Sequence, residues 1–461
     1  KIAMAPGTRN PIIGKPARIS VASISFVLWA AVTVPKSVTA RSLGKSSIRP
    51  AFVLPVGGTH RRNHVAAVTK MEAAKESPAT TPTPLDASKM KSDASNEIPF
   101  NEVELSSVIS GLKRAAGDDD AVDWDALENV MLKEYGHLSH KEWERTGAAA
   151  EKVAHILFGE GMGDERSFRS IFLRVVKEGN WDGAKNASLA KGPEDKPWAV
   201  LVTGVNGIRK TTSVYSDWFR ELLSEAVVAP EGEKAPPASS LPTGNDSFFR
   251  QLDHIVSTLA VEQFETLYST HTDKDDDHVV ASYAESKDGI FTRYRTISEI
   301  VGVVLLRRAI QSNMNVMVET SGRDVAMFKY VDTFFPDSLY RKMVLHFTIT
   351  DVVHAEESVS ARMQGEMAAG QLAMAPHNDV HDVIRANAGG PYGPSALRGV
   401  QQQSDIVWGQ ISAGSPEAGG AGKGWFVACI QIEGNTDAGE WRAAPLRNGE
   451  VGQWRQFGRK N

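Results

Sequence analysis

The chain has 461 residues, of which 41% are hydrophobic and 23% charged, a composition typical of globular proteins with room for two or three domains. Its net charge is −5, but eleven of its 51 Lys and Arg precede the first acid, Glu72, which leaves 40 against 56 Asp and Glu over residues 72–461. This balance argues against nucleic-acid binding, and the single cysteine, Cys429 in the apolar run WFVACIQI, excludes a disulfide framework and a cysteine-based zinc cluster.

The first 71 residues read as a targeting leader rather than as part of a fold. Four basic residues precede an apolar stretch of 16 residues, 19–34, and small residues follow up to Ala40. This order is typical of a secretory signal peptide. The alternative is a membrane-spanning helix, which needs about 20 apolar residues and so fits the stretch less well.

Residues 41–71 are basic, contain many hydroxyl groups and lack acids, which is the composition of an organelle transit peptide. A signal followed by such a segment resembles the bipartite leader of plastid proteins in algae with complex plastids, which carries an aromatic residue at the signal cleavage point. Phe52 is the aromatic candidate, although it lies well past Ala40. We therefore expect delivery to a plastid, with another organelle or the secretory pathway as the alternative.

The next two segments differ in composition. Residues 72–97 are rich in Pro, Ser, Thr and charge, which predicts a disordered linker. Over residues 98–195, apolar residues recur three and four positions apart, as in VELSSVISGLKRAA and AAEKVAHILFG. This spacing predicts a helical region packed on the domain that follows.

The stretch VTGVNGIRKTTSV, residues 202–214, differs by one residue from a phosphate-binding P-loop, because Arg209 stands where the pattern has its second glycine. An apolar, β-leaning run precedes it and a helical pattern begins at Lys210, which is the context that a P-loop requires. Lys210 would then reach the β- and γ-phosphates of ATP, and the Thr211 hydroxyl would bind Mg²⁺. The predicted ATP-binding residues are Gly204, Asn206, Gly207, Arg209, Lys210, Thr211 and Thr212.

Arg209 has two interpretations. The glycine of the pattern eases a tight backbone, and another residue can adopt that conformation at a cost of about 1–3 kcal/mol. Alternatively, the guanidinium adds a bidentate contact to a phosphate.

A second predicted strand, in the stretch MNVMVETSGRD, ends in the acid Glu319. In an open parallel sheet the carboxyl ends of the strands border the binding crevice. We therefore expect Glu319, Ser321 and Arg323 to face the same cleft as Lys210.

Four stretches, in this order and spacing, resemble the zeta toxin-like kinases of the P-loop class, whose bacterial members phosphorylate UDP-N-acetylglucosamine. They are the P-loop, GNDSFFRQLDHI, NVMVETSGRD and SARMQGEM, and the resemblance spans residues 196–390. It implies that Asp246 is the general base, that Glu319, Ser321 and Arg323 hold the acceptor, and that Arg362 neutralises the transferring phosphoryl group. Arg385 is the candidate for a second arginine of the lid.

The sequence departs from the family pattern at Arg209, at Thr320, where the family has a small residue, and before Asp246, which no clear strand precedes. Other roles stay open for three residues. Asp246 could cap the apolar helix predicted after it, Arg362 could lie on a solvated helix face, and Arg323 could act as a cap or pair near Asp324.

Residues 391–461 predict a small β-containing extension beyond the kinase core. Its tryptophans, Trp425, Trp441 and Trp454, could pack in a core or line a pocket for a sugar or base. The predicted fold is thus an α/β, P-loop kinase-like parallel sheet with flanking helices, preceded by the helical region and followed by this extension.

The predicted function is transfer of phosphate from ATP, with Mg²⁺, to a hydroxyl of a small molecule, with a nucleotide sugar as one candidate acceptor. The alternative is a pseudokinase, a nucleotide-binding regulatory module in which Arg209 marks lost turnover. We expect no nucleic-acid partner, and no membrane association once the leader is removed. The oligomeric state is open.

Overall fold

The computed structural model describes residues 86–95, 98–117, 122–134, 141–158, 165–192, 195–376, 378–435 and 440–458. The predicted leader, residues 1–71, and the first part of the predicted linker lie outside these ranges. Within them, no helix is long and apolar enough to cross a membrane.

The described strands form one mixed sheet, in the order β3-β4-β1-β5-β6-β7-β8, with β2 paired to β6 and β9 paired to β7. The first five strands of this order run parallel to one another, and the other pairings are antiparallel. The strands are β1 Trp198–Thr203, β2 Val227–Val228, β3 Ser247–Arg250, β4 Asn315–Glu319, β5 Arg341–Ile349, β6 Phe426–Asn435, β7 Glu440–Arg447, β8 Glu450–Val451 and β9 Arg455–Gln456.

Helices flank the sheet, so the predicted α/β class is confirmed. The first seven are α1 Ala87–Ser95, α2 Glu102–Ala116, α3 Trp124–Glu134, α4 Trp143–Phe158, α5 Glu165–Ile171, α6 Leu173–Glu178 and α7 Trp181–Leu189. The others are α8 Lys210–Val214, α9 Phe219–Ala226, α10 Leu252–Leu259, α11 Val261–Thr270, α12 Asp277–Gln311, α13 Ala326–Phe334, α14 Val352–Ala373, α15 Val380–Ala386 and α16 Leu397–Ser412.

Strand β1 lies at the centre of the sheet, and each of its six residues is buried. Continuous burial is what its unbroken apolar sequence WAVLVT predicts, because a parallel strand covered by helices has no solvent face. Its neighbours are β4 on one side and β5 on the other, with Val202 level with Glu319 and Thr203 level with His346. The carboxyl ends of these three strands therefore meet at one edge, where open α/β sheets bind their ligands.

The helical region shares a core with the sheet. Trp181 of α7 lies between Phe168 of α5 and Phe248 of β3, with ring centroids 5.1 Å and 4.8 Å away. The amide of Phe249 also donates a hydrogen bond of 2.9 Å to the carbonyl of Gly179. The predicted helices over residues 98–195 are thus present, and they pack directly against the sheet in one shared core.

The predicted disordered linker is wrong over residues 87–95, which form α1. This helix packs on α12, where Ala87 lies against Gly289 and Lys91 forms an ion pair of 2.8 Å with Asp288. Its polar composition resembles that of a linker, but the contact with α12 depends on a residue almost 200 positions away.

The predicted C-terminal extension is part of the main sheet. The run WFVACIQI supplies β6, the fifth parallel strand, which pairs with β5 over residues 343–349. Cys429 of this strand is half-buried. Trp425 and Trp441 are buried, and the indole Nε1 of Trp425 donates a hydrogen bond of 3.0 Å to Asp332, so core packing is the correct interpretation for both.

Candidate functional site

A cleft of about 1480 Å³ opens at the carboxyl ends of β1, β3 and β4. Its walls come from the loops after these strands, from α12 and α14, from residues 385–392 and from parts of the helical region. Nine Lys and Arg and six Asp and Glu line it. The cleft is therefore electropositive although the chain as a whole carries a net charge of −5, which favours an anionic ligand.

The glycine loop, residues 204–209, connects β1 to α8. Gly204 and Gly207 have φ values of 133° and 85°, which favour glycine. A Cβ at Gly204 would lie 2.7 Å from the carbonyl oxygen of Phe347, and one at Gly207 would lie 2.8 Å from that of Ala355. Both glycines are thus required by backbone conformation and by close packing.

Arg209 occupies the left-handed region as well, with φ 65° and ψ 24°, where the P-loop pattern has glycine. The backbone of Arg209 therefore adopts the tight conformation that a glycine would ease, and this strain costs about 1–3 kcal/mol. Its guanidinium carbon lies 5.2 Å from the ring centroid of Trp441, a residue that does not line the cleft. Burial lowers the pKa of Arg209.

Lys210 is folded back across the glycine loop and is only 4% exposed. Its Nζ donates hydrogen bonds of 2.7 Å and 2.8 Å to the carbonyl oxygens of Gly204 and Val205. It also lies 3.1 Å from Oε1 of Glu319, at the tip of the neighbouring strand β4. The structure thus brings together the lysine and the strand-end acid that the sequence predicts on one cleft.

Asp246 is not part of the cleft, and the prediction that it lies there is wrong. It ends a turn at the amino end of β3, where its Oδ1 accepts hydrogen bonds from the Thr243 amide at 2.8 Å and the Ser247 hydroxyl at 3.1 Å. Its Oδ2 lies 2.5 Å from the guanidinium of Arg220. The sequence SFFR after Asp246 forms a strand rather than the start of a helix, so Asp246 lies at the opposite edge of the sheet from Lys210.

Asp253 lines the cleft instead, in the first turn of α10 and three residues past the end of β3. Burial raises its pKa, but the charges of His254, Arg174, Lys287 and Arg362 together outweigh burial, and the pKa is lowered overall. Its carboxylate accepts no hydrogen bond from the described residues. Asp253 is therefore an ionised carboxylate that faces the cleft.

Arg362 projects from α14 into the cleft with its side chain only 16% exposed, so it does not lie on a solvated helix face. Its Nη2 donates a hydrogen bond of 2.9 Å to the carbonyl of Gly390. Its Nε lies 3.3 Å from Oε1 of Glu366, a buried carboxylate whose Oε2 is 2.6 Å from Nζ of Lys287. These contacts fix the direction of the guanidinium.

The other predicted residues, apart from Gly204, also line the cleft, with different degrees of exposure. Arg323 is exposed, and its guanidinium carbon lies 4.8 Å from the ring centroid of Tyr392. Asp324 pairs with Lys141 at 2.5 Å rather than with Arg323. Arg385 is exposed and forms an ion pair with Asp382, one turn earlier on α15. The remaining predicted residues on the cleft are Asn206, Thr211, Thr212 and Ser321.

A comparison with protein-family models finds no match for this chain, and a search of curated proteins finds none either. The chemistry has to be inferred from the cleft itself.

The helical region contributes cleft residues that the sequence patterns did not indicate. Arg174 of α6 is buried and donates hydrogen bonds to the carbonyl of Ile384 at 2.7 Å and to the Ser257 hydroxyl at 3.3 Å. Its Nε lies 3.2 Å from Glu178, which is 3.3 Å from Nε2 of His254. No local spacing signals these contacts, because α6 and α10 are some 80 residues apart.

Proposed function

We propose that this protein is an ATP- and Mg²⁺-dependent kinase of P-loop type, which transfers the γ-phosphoryl group to a hydroxyl of a small molecule. The observation that carries the proposal is the convergence of Lys210, Asp253 and Arg362 on one electropositive cleft at the carboxyl ends of parallel strands. Phosphoryl transfer requires mainly positioning and cations around the phosphates, and this is what the cleft offers.

The glycine loop and Lys210 are proposed to bind the ATP phosphates. Backbone N–H groups of a glycine-rich turn attract phosphate oxygens, and a lysine beside them reaches the β- and γ-phosphates. Nζ of Lys210 already lies among three oxygen atoms, those of Gly204, Val205 and Glu319. Phosphate oxygens would replace some of these contacts when the nucleotide binds.

Thr211 and Glu319 are the residues suited to Mg²⁺. Mg²⁺ prefers oxygen ligands and is usually held by one or two carboxylates together with substrate phosphates. The described residues contain no group of three or more His, Cys, Asp or Glu that could hold a metal ion, so this site depends on the phosphates. When bound, Mg²⁺ would neutralise charge on the β- and γ-phosphates.

In this proposal Asp253 takes the role of general base, which the resemblance to zeta toxin-like kinases implies for Asp246. In the proposed step, the acceptor hydroxyl oxygen forms a bond to the γ-phosphorus while the bond from phosphorus to the bridging oxygen of ADP breaks. The hydroxyl proton passes to the carboxylate of Asp253, which is ionised and free to accept it. Arg362 stabilises charge on the transferring group, and Ser321 and Arg323 hold the acceptor, for which a nucleotide sugar is one candidate.

A pseudokinase is the second candidate function, and two observations favour it. Arg209 holds a strained backbone at the end of the glycine loop, and Nζ of Lys210 is bonded to protein oxygens. Such a protein would bind ATP without acceptor-dependent turnover.

The test is transfer of labelled γ-phosphate from ATP to a panel of nucleotide sugars and sugar phosphates by residues 72–461. We expect acceptor-dependent transfer, and we expect Lys210→Met to abolish both transfer and the thermal stabilisation by ATP, which is about 2.7 kcal/mol at a hundredfold excess over Kd. Lys342→Met is the matched control, since Lys342 is also buried but lies outside the cleft. Stabilisation without transfer would support the pseudokinase, and an unchanged ATP effect in Lys210→Met would refute both functions.

Delivery to a plastid is likewise a proposal, which a fluorescent-protein fusion of residues 1–71 would test in algal cells.

A further inference from the structure

A single buried carboxylate joins three elements beside the cleft. Glu366 of α14 is one of the residues that line the cleft, and its side chain is buried. Its Oε2 accepts hydrogen bonds of 2.6 Å from Nζ of Lys287 and 3.1 Å from the hydroxyl of Tyr283, both on α12. Its Oε1 accepts one of 3.0 Å from the amide of Ala388, just past α15, and lies 3.3 Å from Nε of Arg362. Glu366 therefore ties Arg362 and the segment after α15 to the long helix α12.

Residues 388–390 lie against both Arg362 and the glycine loop. Nη2 of Arg362 donates a hydrogen bond of 2.9 Å to the carbonyl of Gly390. A Cβ at Gly389 would lie 2.5 Å from Nη1 of Arg362, and one at Gly390 would lie 2.5 Å from Nδ2 of Asn206 in the glycine loop. A contact that holds this segment therefore also holds the guanidinium at a set distance from the glycine loop.

The groups around the carboxylate of Glu366 are all hydrogen-bond donors. Burial lowers the pKa of Lys287 to about 8, so Lys287 is charged at pH 7, and burial raises the pKa of the Tyr283 hydroxyl, which keeps its proton. The amide of Ala388 and the guanidinium of Arg362 can only donate. An uncharged amide in place of the carboxylate would turn its NH₂ group toward donors on one side or the other. The surroundings therefore specify a carboxylate, which has an acceptor oxygen for each side.

We propose that Glu366 is a positioning residue, which fixes Arg362 and residues 388–390 relative to the glycine loop and so sets how strongly the cleft binds a chain of phosphates. Removing one member of a buried, charged network leaves its partners unsatisfied, so the change spreads to every group that the network holds. The role of Glu366 is to hold Arg362 rather than to touch the phosphates. The inference rests on the proposed function, because it takes Arg362 to face the phosphates, but phosphate binding can be measured without turnover.

The first experiment is calorimetric titration of inorganic tripolyphosphate, with Mg²⁺ at pH 7, into the wild-type protein and its Arg362→Ala, Glu366→Gln and doubly substituted variants. We expect each single substitution to raise the Kd about tenfold, and the double substitution to raise it by no more than about twofold beyond that, because both act through one guanidinium. Glu366→Gln removes a negative charge from beside the cleft. Charge alone would then strengthen the binding of an anion or, if Lys287 loses its proton, leave it unchanged. A weaker affinity therefore reports the position of Arg362.

A second pair of variants keeps the test valid if Glu366→Gln alone does not fold. Lys287→Met with Glu366→Gln removes both charges of the buried pair, and the amide can turn its oxygen to Ala388 and Arg362 and its NH₂ group to the Tyr283 hydroxyl. Lys287→Met with Glu366→Met has a similar volume but no oxygen at this place. We expect the Kd of the first variant to lie within about threefold of the wild-type value and that of the second to be about tenfold higher.

Asp332→Asn is the matched control, since Asp332 pairs with the buried Lys342 at 2.9 Å but does not line the cleft. Its Kd for tripolyphosphate should equal that of the wild type, and cooperative thermal unfolding checks the folding of every variant. Four results would each overturn the positioning role: a wild-type Kd in Glu366→Gln, additive losses in the variant that combines it with Arg362→Ala, equal Kd values in the two Lys287→Met variants, or no binding by the wild type.

The two proposals fail separately. Coupled losses of tripolyphosphate affinity in Arg362→Ala and Glu366→Gln, without phosphate transfer by the wild type, would leave the positioning role standing and refute the kinase. Transfer by the wild type, with binding and transfer unchanged in Glu366→Gln, would support the kinase and refute the positioning role.

Discussion

The two ends of β3 carry aspartates in contrasting surroundings. At the amino end, Asp246 is saturated by the Thr243 amide, the Ser247 hydroxyl and the guanidinium of Arg220. Past the carboxyl end, Asp253 faces the cleft, and no described residue donates a hydrogen bond to its carboxylate. Only seven positions separate them in the chain.

The contrast shows that strand direction decides what an acid does in this fold. A carboxylate before a parallel strand lies at the edge away from the ligand crevice, where it can cap and brace a turn. A carboxylate after the strand lies at the crevice. At Asp253, neighbouring cations keep the carboxylate ionised, although none of them donates a hydrogen bond to it.

The largest expected difference between the two ends is in turnover. Asp253→Asn keeps the shape of the side chain but removes the proton acceptor, so phosphate transfer should fall by about 10² to 10⁴ while ATP-dependent thermal stabilisation persists. Asp246→Asn should change transfer less than about threefold. The measurement is acceptor-dependent transfer by both variants, and the reverse order of effects would restore Asp246 as the base.

The pH dependence of the free energy of unfolding should reveal the burial of two histidines, His254 and His346, which lie near the carboxyl ends of the parallel strands. Burial, helped by Arg174, lowers the pKa of His254 from about 6.5 to about 4, and burial lowers that of His346 similarly. Between pH 6.5 and 4 both histidines are protonated in the unfolded chain but neutral in the folded protein. The free energy of unfolding should therefore fall as the pH drops from 6.5 to 4. Each histidine contributes about 1.4 kcal/mol per pH unit.

Urea denaturation at pH 7 and pH 5 measures this slope. His254→Gln should remove about half of the pH dependence of the free energy of unfolding that is due to the two histidines. His155→Gln, at an exposed histidine, is the control. An unchanged slope in His254→Gln would mean that His254 is protonated in the folded protein.

At the amino end, the expected effect is on stability alone. Asp246→Ala removes the hydrogen bond from the Thr243 amide and a partly exposed ion pair with Arg220, which should lower the free energy of unfolding by about 1–2 kcal/mol. Phosphate transfer should stay near the wild-type level at a temperature where the variant is folded. A loss of transfer without a loss of stability would contradict this structural role.

The smallest expected effect concerns Arg209. Arg209→Gly relieves the left-handed backbone but loses the packing of the guanidinium on Trp441, so the free energy of unfolding should change by less than about 1 kcal/mol. Turnover is the sharper readout. Transfer that emerges only in Arg209→Gly would identify the natural protein as a pseudokinase.

The sequence by itself determined those features that depend on neighbours along the chain. The apolar run before Gly204 and the helical spacing after it predicted β1, the glycine loop and the start of α8. The P-loop pattern expects glycine at position 209, and the backbone of Arg209 does lie in the left-handed region that favours glycine. Glu319 at the tip of β4 was predictable for the same reason, since the strand and its final acid are contiguous.

Tertiary structure alone decided which distant segments meet. The sequence SFFR could continue a helix or form a strand, and its pairing with β4 makes it β3, which excludes Asp246 from the cleft and admits Asp253. Pairing with β5 likewise places β6 inside the main sheet. Strand pairing and the packing of α1 on α12 join residues far apart in the chain, and such contacts leave no local periodicity by which they could be foreseen.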